Sequence, residues 1–73
     1  MKAYRSKIGR LPWQLRNNLN QRLRDGHTGA DILSWLNKSP EWRAVKKASG
    51  MADINAQNLS EWRSTGYADW LND

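Results

Sequence analysis

Cysteine is absent from this chain, and so is phenylalanine. Without a thiol there is no disulfide, no thiolate nucleophile and no cysteine-ligated zinc, which fits a reducing compartment. Also missing is any apolar run long enough to span a bilayer, and the basic start is not followed by the hydrophobic stretch of a signal peptide. A soluble, unprocessed, cytoplasmic protein is the expectation. The one histidine, His27, has no second imidazole and no serine or carboxylate placed beside it by a recognisable motif, so neither a metal nor a catalytic role is expected of it. The five glycines are scattered through separate turns and make no phosphate-cradling loop. The acids sit mostly at caps, turns and the C-terminus, so no carboxylate pair at catalytic spacing stands out. A single domain of 73 residues buries only about 60% of the surface its unfolded chain exposes, leaving little room for a concave pocket of enzyme dimensions. The expectation is a binding module without a cofactor, not an enzyme.

Acids are scarce in one half only. Residues 1–24 carry Lys2, Arg5, Lys7, Arg10, Arg16, Arg22 and Arg24 with no acid, whereas residues 53–73 carry Asp53, Glu61, Asp69 and Asp73 against Arg63. Over the whole chain 12 Lys and Arg outnumber 7 Asp and Glu, which favours a polyanionic partner, nucleic acid ahead of a membrane surface. Residues 1–10 show no helical apolar stripe and read as a basic N-terminal arm, extended or mobile, with Tyr4 and Ile8 as anchors to the body. Such an arm tracks phosphates or enters a minor groove in some DNA-binding domains; a solubilising tail has the same composition.

What is present in quantity is helix punctuation. Pro12 suits a first turn, and Leu15, Leu19 and Leu23 recur every fourth residue, with Leu11 and Trp13 extending the seam until Asp25-Gly26 stops it; this predicts a helix over 12–25. Thr28-Gly29-Ala30-Asp31 reads as a capping box with Asp for Glu, opening a helix over 29–38 whose Ile32, Leu33, Trp35 and Leu36 centre the core. Ser39-Pro40-Glu41 repeats the start signal for a helix over 40–48, with Trp42, Val45 and Ala48 inward and Arg43, Lys46 and Lys47 outward, closed by Ser49-Gly50. Tyr67 to Leu71 reads as a last turn or two folding Trp70 and Leu71 onto the core. Five Trp and two Tyr fill a thin core with a few large rings. The predicted fold is all-α: an arm over 1–10, then one domain over 11–73 made of four main helices and a short C-terminal one.

The fourth main helix organises the functional reading. Ile54 stands before the N-cap Asn55, Leu59 and Trp62 form a narrow apolar seam, and Gly66 is read as a left-handed stop. Gln57, Asn58, Ser60, Glu61, Arg63 and Ser64 are polar, the profile of a recognition helix and equally of an ordinary solvated one. The run Ile54-Asn55-Ala56-Gln57-Asn58-Leu59-Ser60-Glu61-Trp62-Arg63 resembles the second half of a helix-turn-helix. That resemblance implies that Leu59 and Trp62 anchor the helix while Gln57, Asn58 and Glu61 face base edges. An amide pairs with adenine in bidentate fashion, and a carboxylate accepts from cytosine N4. Arg63 and Ser64 fall toward phosphate, joined there by Lys2, Arg5, Lys7, Arg10, Arg43, Lys46 and Lys47. Two departures are plain: the connection is stretched to Ser49–Ile54, and Glu61 stands where a basic residue is common.

A broader resemblance starts from Ser6-Lys7-Ile8-Gly9-Arg10-Leu11-Pro12 and runs through Leu15 to Gly26, Ile32–Leu36 and Asn58-Leu59-Ser60-Glu61-Trp62-Arg63. This pattern is similar to small proteins of Mu-like phages and prophages. It implies a DNA-associated regulator or packaging factor that binds duplex DNA, and paired half-sites imply a homodimer. The alternative is a small protein-interaction module, an inhibitor or adaptor using a Trp-rich surface.

Overall fold

Backbone amides at the start of a helix lack intrahelical partners, and short polar side chains supply them. The structure, a computed structural model, describes residues 7–72. After a 3-10 helix, Ile8–Arg10, come α1 (Trp13–Arg24), α2 (Gly29–Lys38), α3 (Pro40–Ser49), α4 (Ala56–Ser64) and α5 (Gly66–Leu71). Thr28 Oγ1 accepts from the Asp31 amide at 3.1 Å, Ser39 Oγ from the Trp42 amide at 3.4 Å and Asn55 Oδ1 from the Asn58 amide at 2.9 Å. These are the three caps the sequence marks. Gly26 and Gly50 take the left-handed conformation, φ 85° and 70°, and end α1 and α3 as expected. The protein is all-helical over the described residues, four main helices and a short C-terminal one.

The core draws on every element except α5's own large side chains. Leu15 and Leu19 of α1, Ile32 and Leu36 of α2, Trp42 of α3, Ile54, and Leu59 and Trp62 of α4 are buried together. Ile8 and Leu11 join them, Ile8 fully buried. Ile8 anchors the N-terminal segment to the body as expected, since an isoleucine side chain gains about 1.5–3 kcal/mol by full burial, but Ile8–Arg10 form a 3-10 helix packed on α4 and not part of an extended arm. Residues 1–6 lie outside the described part, so Tyr4 and the arm proper are not placed.

Three inward readings fail for reasons of helical phase. Trp13 is 66% exposed, since it stands two residues, about 200°, away from Leu15 around α1. Ala48 is exposed, six residues or about 240° beyond the buried Trp42. Leu71 is 53% exposed, and the neighbouring Trp70 is half-buried, its indole Nε1 donating to Asn17 Oδ1 at 3.0 Å.

Gly66 also differs from expectation. It is not left-handed; it is the buried first residue of α5. A Cβ there would run into the six-membered ring of Trp62. Glycine is required by this close approach, not by φ. The same Trp62 donates its indole N–H to Asn20 Oδ1 at 2.7 Å, and both residues are buried.

Candidate nucleic-acid interface

α4 is held by its neighbours in an order the chain does not suggest. It packs on α2, α5 and the 3-10 helix, and makes at most marginal contact with α3, the helix that precedes it. At the start of α2, Gly29 approaches Leu59 of α4, whose Cδ2 would lie 3.6 Å from a Cβ there. At the other end of α2, Asn37 Nδ2 donates to the Ile54 carbonyl at 2.9 Å, and Asn37 Oδ1 accepts from the Ile54 amide at 3.0 Å. One side chain thus replaces a strand-like pair of backbone bonds and pins the entry of α4 to the exit of α2. The connection Ser49–Ile54 therefore does not join a packed α3–α4 pair, as the helix-turn-helix resemblance implies; α4 rests on α2 and α5, and α3 rests on α2.

Asn37 carried no signal in the sequence beyond being polar in the last turn of an apolar helix. Changing Asn37 to Ala leaves both Ile54 backbone groups without their partner, and a cost of about 1–3 kcal/mol is expected. Urea unfolding measures it, and amide exchange should quicken first at Ile54–Leu59. An unchanged midpoint would show that water satisfies these groups equally well.

On α4 itself, Gln57, Ser60, Glu61, Arg63 and Ser64 are exposed. Gln57 and Glu61 are four residues apart and share one face. Asn58 has a different task from the one expected. Its Oδ1 accepts from the Asn55 amide at 3.0 Å while its own amide donates to Asn55 Oδ1, a reciprocal capping box. Bidentate pairing with an adenine needs Oδ1 as well as Nδ2, so it would compete with the cap. Ser64 Oγ donates back to the carbonyls of Ser60 and Glu61, each at 3.3 Å, which is ordinary helix-end behaviour. Arg63 lines an open, largely apolar groove of about 380 Å³ between α4 and α2, with Gly29, Ala30, Leu33, Ala56 and Ser60.

The basic groups gather at the start of α4. Lys46 of α3 pairs with Asp53 at 2.7 Å, and Lys7 Nζ donates to the Asp53 carbonyl at 3.4 Å. Arg43 and Lys47 are exposed and line, with Lys46, Gly50 and Met51, an open surface groove on the same side of α3. Asp53 stands two residues before the cap of α4. Its carboxyl is held below the usual carboxylate value, first by the hydrogen bond from Lys46, then by the charges of Lys46 and Arg43 against the opposing effect of desolvation. The indole N–H of Trp42 adds a pull smaller than that of Lys46 but ahead of that of Arg43, in a geometry that leaves this buried Nε1 without a hydrogen-bond partner. Asp53 is therefore ionised at neutral pH and partly neutralises Lys46.

Lys7, Arg43, Lys46 and Lys47 are thus brought together, and Arg63 and Ser64 lie at the far end of α4. Arg10 is exposed on the 3-10 helix. Lys2 and Arg5 fall outside the described residues.

Among the described residues no three His, Cys, Asp or Glu side chains are grouped as metal ligands, and no helix is long and apolar enough to cross a membrane. No family model matches the chain, and no curated protein and no solved structure matches it either.

Proposed function

We propose that this protein binds duplex DNA, with α2 and α4 acting as a helix pair of helix-turn-helix type and α3 inserted in the connection between them. The observation that carries this reading is the convergence of Lys7 and Lys46 on Asp53, at the entry of α4. Both cations thus meet the residue two positions before the cap of α4, the helix whose N-terminus would enter the major groove. Phosphate contacts flanking a helix N-terminus position such a helix, and base contacts then specify. On α4 the base-reading role falls to Gln57 and Glu61; Asn58 holds the cap. Lys7, Arg43, Lys47 and the part of Lys46 not neutralised by Asp53 supply affinity, with Lys2 and Arg5 preceding them and Arg10, Arg63 and Ser64 as outer phosphate contacts. A regulator or packaging factor of a phage or prophage, working in the cytoplasm as a homodimer on paired half-sites, is the biological form of this reading.

Titration against random and genome-derived duplexes at several salt concentrations tests it. A steep salt dependence with a sequence-preferring component is expected. Gln57→Ala should erode discrimination at one base position by about 1–3 kcal/mol while leaving binding to random duplex nearly unchanged. Absence of binding at low salt would sink the proposal.

The second reading is a protein-interaction module. The exposed Trp13 and Leu71, on a face away from the core, favour it, because aromatic anchors dominate protein interfaces. Of the other rings, Trp42 and Trp62 are buried and Trp35 and Trp70 are half-buried, so no large Trp surface exists outside the α1–α5 face.

A further inference from the structure

α1 and α5 together present an aromatic face that the duplex reading does not use. Trp13, at the start of α1, is the most exposed of the large apolar residues. Beside it runs an open groove of about 500 Å³ lined by Trp13, Asn17, Arg24, Trp70 and Leu71. Trp70 is fixed rather than loose: its N–H is bonded to Asn17, its ring stacks with Tyr67 at a centroid distance of 6.0 Å and 21° between planes, and the Arg24 guanidinium lies 5.6 Å from its ring centre. Burial would gain an aromatic ring of this size roughly 150–250 Å² of removed surface, so an indole left in water on a thin-cored domain is a group available to a partner.

Charge narrows the partner. Every ionisable side chain of α1 is an arginine: Arg16, Arg22 and Arg24, with no acid in the helix. Arg16 is steadied by donating to the Gly9 carbonyl at 2.9 Å, and Arg22 lies over the ring of Trp35 at 4.1 Å. Asp25 follows directly at the end of α1, and α5 carries Asp69. Arg22, lying over Trp35, is turned toward α2, and Arg24 is the guanidinium that lines the groove with Trp13 and Trp70; rings beside a guanidinium match a chain of stacked bases and phosphates. Bases offer a π-face regardless of sequence, and arginine adds cation–π and phosphate contact. In a duplex those π-faces are already stacked on one another, so a free indole has nothing to stack on.

We propose that the α1–α5 face binds unpaired nucleic-acid strand, with a base stacked on Trp13, a second against Trp70, and phosphate on Arg24. This shares with the duplex reading only the premise of a polyanionic partner; the residues are different and the two stand or fall separately.

The test compares wild type and Trp13→Ala, both checked by circular dichroism. Fluorescence anisotropy follows two probes: a labelled oligothymidine of about 15 nucleotides, within the span such sites occupy, and a duplex of similar length. Trp13 is exposed, so the variant is expected to fold like the wild type. Wild type should bind the single strand, and Trp13→Ala should weaken that binding about fivefold or more while changing duplex affinity less than about twofold. Arg24→Gln should weaken single-strand binding and reduce its salt dependence, a second readout should Trp13→Ala fold poorly. Failure of the wild type to bind the single strand overturns the proposal, as does equal binding by wild type and Trp13→Ala. Sedimentation of both proteins separates the protein alternative: a dimer that dissociates on Trp13→Ala makes this face a contact between copies and also overturns it. Loss of duplex binding in the Arg43, Lys46 and Lys47 variants bears on the duplex reading alone.

Discussion

Trp62→Ala is expected to remove about 3–5 kcal/mol of stability, the usual range for deleting a buried large aromatic. A 73-residue domain has roughly 4–11 kcal/mol in total, at about 0.05–0.15 kcal/mol per residue, so this one change takes from about a quarter to all of it. Two contacts make the ring hard to replace. Its Nε1 is the partner of the buried Asn20 Oδ1, and its six-membered ring fills the space over Gly66. Trp62→Phe separates these: it keeps much of the apolar volume but strands the Asn20 oxygen, at a cost of about 1–3 kcal/mol. Gly66→Ala collides with the ring and should cost about 1–3 kcal/mol or more by overpacking. In the Trp62→Phe background the colliding ring is gone, so Gly66→Ala should cost clearly less there. Urea unfolding of the two single variants and the double variant gives the coupling energy. Additivity within about 0.5 kcal/mol would contradict the packing described for Gly66.

Replacing Arg43, Lys46 and Lys47 together by alanine should weaken duplex binding by about 50- to 500-fold near 0.1 M salt. The range follows from counterion release: each phosphate contact contributes a slope of about 0.9 in log K against log salt, or about eightfold at that concentration. Three full contacts give the upper figure, and two give the lower. The lower is favoured, because Asp53 holds Lys46 at 2.7 Å and stays ionised at neutral pH. The salt slope should fall by about 2 rather than 3. Asp53→Asn provides the opposite sign: it releases Lys46, removes a negative charge beside the α4 N-terminus, and should tighten binding and steepen the salt slope. If Asp53→Asn weakens binding instead, the cluster does not face phosphate. Because the carboxyl is depressed in the folded state, the Lys46 pair is intact above the ordinary carboxylate range. It is lost as pH falls through the lower folded value, so only acid conditions mimic Asp53→Asn.

The DNA reading and the aromatic-face reading differ in how far each was visible beforehand. Gln57, Glu61 and the cations of α3 stand out as polar residues of two short helices. Asn58 looks equally suited to base contact, and its use in the capping box is also a local pattern, three residues from Asn55, that competes with the recognition reading. Trp13 adjoins the leucine repeat in the chain, but helical phase puts it outside the seam. Asn37 and Asn20 give no warning at all, since nothing near either in the chain requires an amide.

The helices, their starts and most of their stops can be read along the chain alone. Thr28, Ser39 and Asn55 act on amides three residues away, and Gly26 and Gly50 act through their own φ, so the causes are local and can be read along the chain. Packing in three dimensions is what seats α4 on α2 and α5, closes the core with Ile8, makes room for a ring at Gly66, and brings Lys7 and Lys46 to Asp53. Those outcomes depend on groups far apart in the chain: Asn37 and Ile54 are 17 residues apart, Asn20 and Trp62 are 42, and Lys7 and Asp53 are 46. At such separations the choice of partner rests on how the whole apolar surface can be buried at once, a property of the packed helices together and not of any one stretch.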